Sequence, residues 1–236
     1  SGVTNGIDEV AWDPAHDTYL PAQYHAKDLS GKSVCKQALQ QEFGLPILDV
    51  PLVAVLGRLT FQKGFDLLVE ILPELMALDL QLVVLGTGDS HLEQQFIAAK
   101  EKYPQRIGLS LGFNEGLAHR IEAGSDMLVM PSRYEPCGLS QLYSLRYGTV
   151  PIVRRTGGLA DTVVPFRPST VKSGSATGFH FIDPSPEALL STILLALHVY
   201  EEQEVWRALV TSGMSANLSW DQSAMAYIDL YRRLQD

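Results

Sequence analysis

Asp126-Met127-Leu128-Val129-Met130-Pro131-Ser132-Arg133-Tyr134-Glu135-Pro136-Cys137-Gly138-Leu139-Ser140 opens on an apolar run without alternation and turns at a proline. Such a run reads as a strand buried on both faces of a parallel sheet. From Leu139 the chain continues to Tyr147 with apolar residues at helical spacing. Glu135 is therefore expected in the turn between a strand's carboxyl end and a helix's amino end. Ligands of open α/β sheets sit on that edge, and a helix amino end favours anions.

Working outward, the same alternation recurs. Strands are expected at Leu52–Leu56, Leu82–Leu85, Ile107–Leu111, Val150–Val153 and Gly178–Ile182. Helices are expected at Gly31–Phe43, Phe65–Leu78, Ser90–Lys102, near Glu115–Ala123, after Gly157-Gly158, and from Pro186 onward. The fold class is therefore α/β, a doubly wound Rossmann-like parallel sheet forming one domain. Residues 1–30 read as an irregular lead-in that lies against something else, 31–219 as the α/β core and 220–236 as a terminal helix.

Composition narrows the function classes. The chain has 236 residues, 46% hydrophobic and 19% charged, as expected of a soluble globular domain. A net charge of -9 argues against a nucleic-acid partner, which needs a basic face. Two cysteines, Cys35 and Cys137, give no disulfide framework and favour a reducing compartment. No apolar run approaches a bilayer span, so no membrane partner is expected, and the start shows no signal peptide. The six histidines show no paired metal spacing, so no metal site is indicated.

Three motifs mislead. Gly31-Lys32-Ser33 ends like a phosphate-binding loop, but position 26 is Ala26 and no strand precedes it. Gly108-Leu109-Ser110-Leu111-Gly112 fits the hydrolase elbow, yet Ser110 lies inside an apolar strand pattern rather than on a strand-to-helix turn. Gly86-Thr87-Gly88 lacks the third glycine of a dinucleotide fingerprint.

Three turns at strand carboxyl ends carry chemistry. Gly57-Arg58-Leu59-Thr60-Phe61-Gln62-Lys63-Gly64 places a guanidinium and an ammonium on one loop, types suited to gripping phosphate. Taken alone, a solvated surface pair is the alternative. Glu135 suits sugar hydroxyls or a developing positive charge; a cap or structural ion pair is its alternative. Thr156-Gly157-Gly158-Leu159 offers backbone N–H groups at a helix start, or an ordinary tight turn. Together they predict a site for a sugar nucleotide or sugar phosphate.

These stretches, with Arg154 through Val163, Asn5-Gly6-Ile7-Asp8 and Trp220-Asp221-Gln222-Ser223-Ala224, resemble the bacterial glycogen synthase and plant or algal starch synthase family. The resemblance covers essentially the whole chain and is to the carboxyl-terminal, donor-binding half. It implies a GT-B fold and retaining, metal-free transfer of glucose from ADP-glucose to the non-reducing end of an α-1,4-glucan. No cofactor is implied, since ADP-glucose is the donor substrate.

By the same resemblance Arg58 and Lys63 hold the donor diphosphate. Glu135 binds the glucose, with the Cys137 and Gly138 backbone beside it. Leu139 and Ser140 line the phosphates and ribose, and Gly112-Phe113 meets the adenine where relatives often have tyrosine. Gly57, Thr156, Gly157 and Gly158 complete the binding set. Tyr143, eight residues after Glu135, stands where many other retaining GT-B enzymes carry a second glutamate.

The resemblance assigns the glucan acceptor mainly to an amino-terminal domain, to which the terminal helix crosses, leaving Met225, Ile228 and Tyr231 partly exposed. The chain alone is thus expected to bind ADP or ADP-glucose without elongating glucan. It implies the cytoplasm for a bacterial protein and the plastid stroma for a plant or algal one. Two rivals are a hydrolase acting through Ser110 and a non-catalytic sugar-nucleotide-binding or regulatory module.

Overall fold

The computed structural model describes residues 2–233. Six parallel strands, β1 Leu52–Leu56, β2 Gln81–Gly86, β3 Ile107–Leu111, β4 Met127–Met130, β5 Val150–Arg154 and β6 Phe179–Phe181, form one sheet. Their order is β3-β2-β1-β4-β5-β6. This is the doubly wound arrangement expected from the alternating pattern. The order reverses between β1 and β4, so the loops leaving those two strands diverge and open a crevice.

Both faces of the sheet are covered, which explains the unbroken apolar runs. Val53, Val55, Leu82, Val84, Met127 and Val129 point into one core layer; Leu52, Ala54, Val83, Leu85, Leu128 and Met130 point into the other. Each fully buried aliphatic side chain contributes about 1.5–3 kcal/mol of burial energy. Helices α1 (Ser30–Glu42), α5 (Glu115–Gly124), α6 (Ser140–Tyr147) and α7 (Gly157–Thr162) precede or follow these strands. So do α4 (Ser90–Lys102), α8 (Pro168–Lys172), α9 (Pro186–Glu201), α10 (Gln203–Met214) and α11 (Trp220–Arg233).

Three sequence expectations change. The helix expected over 65–78 is two short ones, α2 (Phe65–Glu70) and α3 (Leu72–Leu75), because Pro73 has no N–H to continue the ladder. The helical stretch after Pro186 divides into three. The lead-in packs on this same domain. Tyr24 donates to the Tyr147 carbonyl at 2.7 Å, and buried Asp17 Oδ2 accepts from Tyr147 Oη at 2.5 Å and pairs with His119 Nδ1 at 2.7 Å.

The lead-in also meets α11, where Ser223 donates to the Thr4 carbonyl at 2.6 Å and Gly6 abuts the Trp220 backbone. Met225, Ile228 and Tyr231 on that helix are exposed. Residues 234–236 of the expected terminal helix lie outside the described residues.

Gly64, ending the β1 loop, has φ +71°, and a Cβ there would stand 2.0 Å from the Pro131 carbonyl oxygen. The two loops are therefore in backbone contact only because this position is glycine. Gly64→Ala is expected to lower unfolding free energy by about 2 kcal/mol or more, measured by urea denaturation. An unchanged midpoint would show that the loops do not touch.

Candidate active site

The loop after β1 is tied down on both sides. Gly57 N–H donates to the Leu85 carbonyl and Leu59 N–H to the Thr87 carbonyl, which leaves the Arg58 side chain exposed above the sheet edge. Further along, the loop is joined to the one after β4. Arg133 N–H donates to the Gln62 carbonyl at 2.8 Å, and Gln62 Nε2 to the Tyr134 carbonyl at 3.1 Å. Arg133 also makes a bidentate pair with Asp66 at 2.6 and 2.7 Å and stacks on Phe61, with its guanidinium 3.7 Å from the ring centre.

These ties bring Lys63 Nζ onto Glu135 Oε2, and Ser132 Oγ donates to the same oxygen at 3.3 Å. Glu135 is buried and Lys63 half-buried. The structure shows the ion-pair alternative for Glu135: its carboxylate is paired with Lys63, the cation the resemblance assigned to phosphate.

Arg58 faces a cavity of about 370 Å³ lined by Gly57, Gly112, Phe113, Ser140, Tyr143 and Trp12, among others. Phe113 is 90% exposed, a free aromatic face at its rim. Five predicted residues, Gly57, Arg58, Gly112, Phe113 and Ser140, therefore line one hollow. Cys137, Gly138 and Leu139 connect it to Glu135 through a turn in which Gly138 has φ +74°. Helix α6 opens there with no side-chain cap, so its first N–H groups face the crevice edge unassisted.

One expectation needs correction. The Thr156-Gly157-Gly158 turn does not offer a row of free donors. Thr156 N–H bonds the Arg154 carbonyl at 2.8 Å, and Gly158 N–H bonds the Glu135 and Pro136 carbonyls at 3.1 and 3.2 Å. A Cβ on Gly157 would stand 2.1 Å from the Glu135 carbonyl oxygen. The turn buttresses the Glu135 loop from behind.

The misleading motifs resolve locally. Ser110 pairs with Leu85 inside β3 and is not on the turn that leads to α5. Lys32 lies in α1 and donates to the carbonyls of Ala123 and Tyr147 and to Thr149 Oγ1. It borders a slightly larger hollow of about 400 Å³ at the opposite sheet edge. There Lys36 is also occupied, by Asp126 at 2.7 Å, so neither lysine is available to a ligand. Among the described residues no group of three or more His, Cys, Asp or Glu is arranged to hold a metal ion. No described helix is long and apolar enough to cross a membrane.

Two cavity residues escaped the sequence reading. Trp12 is stacked between His119 and Tyr143, with ring centres 3.7 Å apart on each side. The lead-in carries other aromatic and aliphatic residues, and nothing local sets Trp12 apart from them. Glu122 lies on α5 one turn after Ala118, 1% exposed, and its Oε2 has no protein partner. Burial raises its pKa to about 8.

That shift has a sign. Between about pH 4.5 and 8 the folded state keeps a proton that the unfolded chain releases, so this group lowers stability progressively across that window. Glu122→Gln removes the term. The melting-temperature advantage of the variant over wild type is expected to grow from pH 5 to pH 8, read by thermal melts. A pH-independent difference would show an ordinary carboxylate.

Residues 39–209 match the family described as Glycosyl transferases group 1, and the chain belongs to that family. Among its relatives, glycogen synthase from Anaeromyxobacter sp. (strain Fw109-5) is 55% identical over 234 residues, which is 99% of this chain and 48% of the relative. Glycogen synthase from Thioalkalivibrio sulfidiphilus is 50% identical over 236 residues, covering 99% and 49%. The catalytic domain of starch synthase IV from Arabidopsis thaliana, solved bound to ADP and acarbose, superposes with a TM-score of 0.90 at 37% identity, covering 97% of this chain and 48% of that one. The chain spans about half the length of the curated relatives it matches.

Proposed function

We propose that the chain is the donor-binding half of a retaining glucosyltransferase. The reaction moves glucose from ADP-glucose to the non-reducing end of an α-1,4-glucan. The observation that carries this reading is the pairing of Lys63 with Glu135 by the two loops whose other residues, Arg58 and Ser140, line the aromatic-rimmed cavity. The starch synthase relative, solved with ADP, supports the choice of nucleotide.

In this reading Phe113 stacks on the adenine and the diphosphate lies between Arg58 and the start of α6. Glu135 accepts hydrogen bonds from the glucose hydroxyls. When the bond between the glucose anomeric carbon and the diphosphate oxygen breaks, negative charge develops on the leaving ADP. Arg58 and Lys63 stabilise that charge. Two fixed cations supply what departure of the diphosphate requires, so the reading assigns no resident metal or cofactor. The glucan approaches from a second domain facing this edge, and this chain by itself holds donor without elongating. The bacterial relatives favour glycogen as product and the cytoplasm as location.

Titration calorimetry with ADP tests the reading. Saturable binding is expected, weakened about 10- to 100-fold in Arg58→Ala, in line with one charge-assisted bond of about 1.5–3 kcal/mol. No binding by the wild-type chain, or equal binding by the variant, would overturn it. Glu135→Gln separates sugar from nucleotide. It is expected to keep ADP affinity within about threefold, a difference below 1 kcal/mol, and to lose any preference for ADP-glucose over ADP. A variant that loses ADP as well would place Glu135 in nucleotide binding.

A further inference from the structure

The donor cavity is lined chiefly by apolar and aromatic side chains, Trp12, Leu56, Leu85, Phe113, Ala118 and Tyr143, and one buried acid is set among them. Glu122 belongs to that lining, is 1% exposed, and leaves Oε2 without a partner. An unpartnered buried polar atom is costly and calls for an explanation.

We propose that Glu122 is a specificity-determining residue of the nucleoside pocket, its carboxyl donating a hydrogen bond to an acceptor atom on the base or ribose of the bound nucleoside diphosphate. This rests on the reading of the cavity as a nucleotide site.

The surroundings favour a neutral, donating acid. Lys32 reaches toward it from α1, but its ammonium already serves the Ala123 and Tyr147 carbonyls and Thr149. Tyr143 and Tyr147 face it from α6, and Tyr24 from the lead-in; Ser144 of α6 hydrogen-bonds the carboxyl and favours its charged form, but burial outweighs it and Oε2 stays unpartnered. Asp17, held by His119 and Tyr147, adds a further carboxylate behind them. No cation is left over to balance a Glu122 carboxylate, and burial keeps its proton on up to about pH 8. A protonated carboxyl carries one O–H donor. A base ring nitrogen or a ribose oxygen brought into the cavity supplies the acceptor that the protein does not.

The test is ADP affinity of this chain and two variants at pH 7 and pH 9.5. Glu122→Leu, of similar volume but without a donor, is expected to bind ADP about tenfold more weakly at pH 7. Glu122→Gln keeps an N–H donor and is expected to stay within about threefold of wild type, one hydrogen bond being retained. Wild-type affinity is expected to fall about tenfold by pH 9.5 as the donor is lost. Lys32, whose pKa burial lowers to about 8, titrates in both proteins, so the difference between wild type and Glu122→Gln isolates the acid. Inorganic pyrophosphate, competing for the same site, is expected to be unaffected by either variant.

Equal ADP affinity of Glu122→Leu and wild type would mean that a buried water alone satisfies Oε2, and would overturn the proposal. So would a pH profile that Glu122→Gln does not flatten, or a parallel loss of pyrophosphate binding, which marks a general loosening around α5. Failure of the wild-type chain to bind ADP at pH 7 would instead remove the nucleotide reading on which it stands.

Discussion

The parallel pairing of β1 with β4 is the constraint on which the rest depends. Val53 beside Met127 and Ala54 beside Leu128 put the ends of these two strands next to each other, although 70 or so residues separate them. Because the connections leave to opposite sides of the sheet, the two loops are free to reach across the gap instead of covering it. Backbone bonds from Arg133 to Gln62, the Arg133–Asp66 clamp and the close approach at Gly64 then lock them in register. Lys63 meets Glu135 as the end result of that geometry.

The lead-in supplies the second half of the arrangement. It inserts Trp12 between His119 of α5 and Tyr143 of α6, and Asp17 beneath, so one wall of the cavity is made from a segment far away in sequence. Stacked rings of this kind contribute about 0.5–1.5 kcal/mol beyond area burial. Tyr143 is thereby fixed by packing. It forms an aromatic wall of the cavity, which Glu122 also lines.

Much of this was legible in the sequence because the governing signals are local. A strand buried on both faces must be apolar throughout, so Met127–Met130 and Leu82–Leu85 announce themselves. The turns at Gly57, Gly64 and Gly138 are marked by glycine, and Arg58, Lys63 and Glu135 are conspicuous because charge sits beside apolar strands. What the sequence hid depends on tertiary contact. The break near Pro73 is the exception, since a proline inside the expected helix is itself a local signal. The N–H groups of Thr156-Gly157-Gly158 look available until the Glu135 carbonyl is placed against them. Trp12 and Glu122 carry no local pattern that distinguishes a cavity wall from an ordinary core position.

The Lys63–Glu135 pair gives the crevice an internal counter-ion. A pocket with two bare cations would attract any small anion, including the inorganic phosphate abundant in cells. Here one of the two is already matched by a carboxylate held in low-dielectric surroundings, where removing one partner of such a pair is costly. A lone phosphate has little to offer in exchange. On the proposed reading, a sugar nucleotide brings an aromatic base, two phosphates and a ring of hydroxyls at once, and can engage the ammonium and satisfy the carboxylate together. Discrimination against the commonest competing ion would then follow from the charge pairing of the site itself.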